Sequence, residues 1–94
     1  MAYGTIMIGK LKTPGTGQAL VDAAKKWEER KVPGFLGSYS LLADDGATVV
    51  ACVTFETKDS YLKLADSPEQ DDWWRSVMAP MLAGDPQWID GEWA

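Results

Sequence analysis

The fold turns on Asp44-Asp45-Gly46-Ala47-Thr48-Val49-Val50-Ala51-Cys52-Val53-Thr54-Phe55. An Asp-Gly pair between two runs of β-forming residues marks a hairpin. The flanking runs are Phe35 to Ala43 and Thr48 to Glu56. Side chains alternate along a strand, so Val49, Ala51, Val53 and Phe55 share one face, and Val50 and Cys52 take the other. Both faces are apolar. Tyr3 to Lys12, a third strand-like run, behaves the same way, with Ile6 and Ile8 opposed to Met7 and Leu11. Strands that are apolar on both faces are covered on both faces.

One cover is helical. Between Thr13-Pro14-Gly15-Thr16-Gly17 and Val32-Pro33-Gly34, Leu20, Ala23, Ala24 and Trp27 recur at helical spacing from about Gln18 to Lys31. After the hairpin a second helical region opens near Thr57. Its first part carries Tyr61, Leu62, Leu64 and Ala65, and Ser67-Pro68-Glu69-Gln70 reads as a capping box that restarts it near Asp66. Trp74, Val77, Met78 and Met81 line the longer second piece, and Gly84-Asp85-Pro86 ends it. Gln87 to Ala94 is a last short strand. The order βαββαβ predicts an α+β, ferredoxin-like plait with both helical regions on one face of an antiparallel sheet. The second cover is expected to be the same sheet of another copy, which makes a homodimer. Residues 1–94 are expected to form one such domain.

Composition removes whole classes of function. The net charge is −5 and no basic stripe is visible, so neither nucleic acid nor an anionic membrane surface is an expected partner. There is no histidine and no asparagine, and Cys52 is the only cysteine. No His-dependent nucleophile system and no nitrogen/sulfur zinc site can be assembled, and haem cannot be held by a proximal histidine. No metal or other cofactor is expected. An intrachain disulfide is impossible, which fits a reducing compartment. No targeting segment or membrane span is visible, so a cytoplasmic location is expected.

Several motifs invite a functional reading. Gly15-Thr16-Gly17 sits between strand and helix as a dinucleotide fingerprint would, but Leu20 occupies the place of its third glycine, and a plain loop is the better reading. Glu69, Asp71 and Asp72 lie in the first turn of a helix, where acids favour the dipole. Five tryptophans, Trp27, Trp73, Trp74, Trp88 and Trp93, are many for 94 residues. They fill cores and interfaces, and aromatic walls also suit a flat apolar ligand. Trp73 and Trp74 are adjacent and are not expected to face one core together. Tyr39 and Tyr61 are the candidate buried donors, better suited to bonding a developing oxyanion than to acting as bases.

From Val32 onward the chain resembles the antibiotic-biosynthesis monooxygenase family. The match lies in Val32-Pro33-Gly34-Phe35-Leu36, Asp45-Gly46-Ala47-Thr48-Val49-Val50 and Phe55-Glu56-Thr57-Lys58-Asp59-Ser60-Tyr61. The resemblance implies a dimeric α/β barrel in which two ferredoxin-like sheets pack face to face. It implies cofactor-independent oxidation of a hydroxylated aromatic, polyketide- or quinol-like, by molecular oxygen. In the polyketide oxygenases of the family an Asn, a Trp and a Tyr bind the substrate. The Tyr falls on Tyr61, the Asn position is Ala51 and the Trp position is Phe55. Tyr61 is thus the implied catalytic residue, with Ala51, Phe55, Tyr39 and Trp74 around the substrate. The haem-degrading relatives use a His and an Asn, and this chain has neither. Two alternatives stand on the same scaffold. One is a binding protein for an apolar or aromatic small molecule, favoured by the loss of two polar groups. The other is an isomerase, decarboxylase or cyclase, which would need an acid/base pair in the pocket.

Overall fold

The computed structural model describes residues 2–94. Its strands are β1 (Tyr3–Lys10), β2 (Phe35–Leu42), β3 (Thr48–Phe55) and β4 (Gln87–Glu92). They form one sheet in the order β2-β3-β1-β4, every pairing antiparallel. The helices are α1 (Gly17–Glu28), α2 (Lys58–Ala65) and α3 (Pro68–Trp73). This is the α+β, ferredoxin-like arrangement that the element order predicts.

The β2–β3 connection shows how local chemistry sets the register. Gly46 takes φ +72°, and its N–H donates to the Ala43 carbonyl across the turn at 3.0 Å. Asp45 Oδ1 accepts from the amides of Ala47 and Thr48, and Oδ2 accepts from the Thr48 hydroxyl. These bonds, the Ala47 amide foremost, hold the Asp45 carboxyl below its usual value, with a smaller contribution from Lys10. The register that follows aligns Leu42 with Val49 and Leu41 with Val50.

Helix ends follow the residues that cannot continue them. α1 stops at Glu28, ahead of the expected Lys31. Lys31 takes a left-handed φ of +54°, and the proline after Val32 disfavours helix there. Thr57 caps α2 reciprocally: its Oγ1 accepts from the Ser60 amide at 3.1 Å, and its own amide donates to Ser60 Oγ at 3.3 Å. Ser67 Oγ caps α3 by accepting from the Gln70 amide at 3.1 Å, with Pro68 in the first turn. The expected long second piece is short. After Trp73 the chain widens into a π-helical turn, Trp74–Met78, in which the Ala79 N–H reaches back to the Trp74 carbonyl. Pro80 explains it: proline has no N–H to give and its ring crowds the carbonyl four residues earlier, so the last turns loosen.

The core lies between sheet and helices. Met7, Leu11, Leu20, Val49, Met78 and Leu82 form it, and Ala51, Trp73 and Trp74 pack against it. The opposite face carries Ile6, Ile8, Val50 and Cys52, which are half-buried, and Tyr39, Leu41 and Ile89, which are exposed. No helix of the described residues is long and apolar enough to cross a membrane.

Candidate functional site

A cavity of about 550 Å³ lies between the inner sheet face and the helices. Its floor is two rows of side chains running across the strands. One row is Ser38, Val53, Thr5 and Asp90, and the next is Ser40, Ala51, Met7 and Trp88. Helix residues Leu20, Ala24, Trp27, Tyr61, Leu64, Trp73, Trp74 and Met78 close over them.

Four of the five residues expected at a site line this cavity: Tyr61, Ala51, Phe55 and Trp74. Ala51 is floor. Phe55 is fully buried and makes edge contacts to Tyr61 and to Phe35, each with ring centroids 5.6 Å apart. Trp74 packs at 5.2 Å against Trp88. Tyr39 is elsewhere. It is 85% exposed and stands in register with Cys52 on the outer face. The cause is a β-bulge between Phe35 and Gly37. Without it, simple alternation would put Tyr39 on the Phe35 side. The extra residue brings Ser38 and Ser40 inward instead. Gly37 takes φ +154° there, a conformation that L side chains rarely adopt.

Trp73 and Trp74 both line the cavity, contrary to expectation. Adjacent helical residues point about 100° apart, and the wall is wide enough to take both. Trp73 stacks on Trp27 at 4.8 Å with 13° between planes. The Arg30 guanidinium lies 4.1 Å from the centroid of the Trp27 ring and is ion-paired with Glu69. Two of the three acids of the cluster are ion-paired, Glu69 with Arg30 and Asp71 with Arg75. Among the described residues no group of three or more His, Cys, Asp or Glu could hold a metal ion.

The polar chemistry sits at the β1–β4 side. The Tyr61 hydroxyl donates to Asp90 Oδ1 at 3.2 Å, a long bond by ordinary standards. Thr5 is 4% exposed, and its Oγ1 has no hydrogen bond of good geometry. Burial pushes the Tyr61 phenol above its ordinary value of 10.0, and the Asp90 charge adds to this, while the Thr5 hydroxyl pulls the other way. The phenol is thus a neutral hydroxyl at any ordinary pH. Asp90 is the functional candidate that the sequence reading missed. Its signal was available: alternation on β4 puts Asp90 on the side of Trp88, and Ile89 on the other.

The chain is thus a two-layer plait with an aromatic-walled cavity between sheet and helices. Solved structures with the same fold sharpen the class. A monooxygenase of Streptomyces coelicolor, solved in complex with the ligand nanaomycin D, superposes with a TM-score of 0.82 at 22% identity, covering 99% of this chain and 88% of that one. A putative antibiotic-biosynthesis monooxygenase of Bordetella bronchiseptica gives 0.80 at 14% identity, over 99% and 97% of the two chains. A protein of unknown function from Thermobifida fusca, described as dimeric and ferredoxin-like, gives 0.73 at 18% identity, over 99% and 92%. The chain therefore has the fold of the antibiotic-biosynthesis monooxygenases. No family model matches it, and no curated protein matches it by sequence.

Proposed function

We propose that the chain is a cofactor-independent monooxygenase that oxidises a hydroxylated aromatic, polyketide- or quinol-like, inside this cavity. The Tyr61–Asp90 hydrogen bond at one side of an otherwise largely apolar chamber carries the reading. Loss of a proton from the bound substrate leaves an enolate, and the enolate itself supplies electrons to oxygen. In the net reaction a ring methylene and O₂ become a carbonyl and water: both hydrogens leave the carbon, one oxygen atom stays and the other departs as water. The protein has three tasks: to accept the proton, to orient the ring and to keep water out. Asp90 serves the first, taking the Tyr61 proton as the Tyr61 oxygen takes the substrate's, and Trp74, Trp88 and Phe55 serve the second and third. The apolar floor at Ala51 and Val53 supports the reading of a binder without turnover, and the Tyr61–Asp90 pair would equally serve a cyclase or isomerase.

Oxygen uptake separates these readings. With a hydroxylated anthrone as substrate, the wild type should consume oxygen and form the quinone. Tyr61→Phe keeps the ring and removes the hydroxyl, so kcat should fall roughly 10- to 100-fold, about 1.4–2.7 kcal/mol. No oxygen uptake above the spontaneous rate would refute the oxygenase reading.

We further propose that two copies pair through their outer sheet faces. The exposed Tyr39, Leu41 and Ile89 on that face support this, as does the dimeric description of structural neighbours.

A further inference from the structure

The Tyr61 hydroxyl carries one proton and two acceptor lone pairs. That proton is already directed at Asp90 Oδ1. Asp90 lies exposed on edge strand β4. Beneath the phenol, Thr5 is buried in register with Asp90, and its hydroxyl has no other well-placed partner. With its proton committed to Asp90, Tyr61 meets the cavity as an acceptor. We propose that Asp90 is a specificity-determining residue: by holding the Tyr61 proton it makes the cavity select aromatics that bring an O–H group over those that bring only a carbonyl.

This rests on the cavity being the ligand site and deepens that reading by naming the group that the ligand presents to Tyr61. A reduced, hydroxyl-bearing ring donates to Tyr61. A quinone-type carbonyl meets a lone pair and either goes without a hydrogen bond or must break the one between Tyr61 and Asp90. Removing Asp90 frees the Tyr61 proton to turn toward the cavity, where it can donate to a carbonyl.

The test is an equilibrium one and needs no turnover. A naphthol and the acetylnaphthalene of the same substitution are titrated by calorimetry into wild type, Asp90→Ala and Tyr61→Phe. Asp90 is exposed and its side chain packs into no core, so Asp90→Ala should fold normally, which circular dichroism checks. Wild type should prefer the naphthol by about tenfold, one hydrogen bond's worth. Asp90→Ala should cut that ratio to near one or reverse it, and Tyr61→Phe should abolish it. A ratio in Asp90→Ala equal to that of the wild type would overturn the inference, and with oxygen uptake by the wild type demonstrated it would do so while leaving the oxygenase reading standing. Failure of both probes to bind wild type would overturn both.

Discussion

Replacing Leu41 by aspartate should convert a dimer into a folded monomer. Leu41 stands in register with Val50 on the outer face and is 60% exposed, so its removal from a lone chain opens no cavity. Tyr39 and Ile89 on the same face are 85% and 49% exposed. Together the three offer the equivalent of about two fully exposed apolar side chains, and burial of one such side chain stabilises by roughly 1.5–3 kcal/mol. Covering the face gives roughly 3–6 kcal/mol per protomer and about 6–12 kcal/mol per pair, before the half-buried Ile6, Ile8, Val50 and Cys52 add theirs. Association itself costs about 4–15 kcal/mol. The margin is narrow, so a buried charge ends it. Twofold pairing introduces the aspartate twice, and each unpaired carboxylate removed from water costs several kcal/mol. A total penalty on the order of 6 kcal/mol weakens association by about 10⁴-fold. Light scattering across the micromolar range should show the wild type at twice the chain mass and Leu41→Asp at the chain mass, with unchanged far-ultraviolet circular dichroism. A wild-type monomer, or a variant that keeps the dimer mass, would refute the reasoning.

Two further outcomes concern stability. Met78 is 4% exposed at the end of the π-helical turn, in the core with Leu20 and Val49, so Met78→Ala should cost about 2–5 kcal/mol in a denaturant titration. The perturbed groups predict the pH dependence. Asp45 is held below 3.8 in the fold, so its contribution is complete above that pH and is lost as pH falls through the folded value. Tyr61 is held above 10.0, so its contribution is complete below pH 10 and is lost as pH rises through the folded value. Tyrosinate absorbance in a chain whose other tyrosines, Tyr3 and Tyr39, are replaced by phenylalanine should show Tyr61 titrating later than a free phenol; titration at or below the free value would contradict the burial described.

The sheet was legible because its signals are local. Alternation in Thr48–Phe55, the Asp45-Gly46 turn and the Ser67-Pro68 restart each act within a few residues, and each appears where the pattern puts it. The two apolar faces of β1 and β3 were equally visible. The candidate site was legible in part. Ala51, Phe55, Tyr61 and Trp74 come together at the cavity because three of them follow from strand parity or from an early position in α2, and the fourth from an apolar helical stripe.

The remainder depended on contacts between residues far apart in the chain. One inserted residue at the Leu36–Gly37 bulge reverses the phase of β2 and sends Tyr39 outward, and nothing in the alternation of Phe35 to Ala43 announces it. Asp90 and Tyr61 are 29 residues apart, and their hydrogen bond exists only because β4 pairs with β1 beneath α2. Local sequence thus determined the elements, their order and the apolar faces, since propensity, capping and alternation are short-range effects. Packing determined which polar groups meet, because a hydrogen bond between distant residues depends on register and bulges, and a single residue's shift in either moves a side chain to the opposite face.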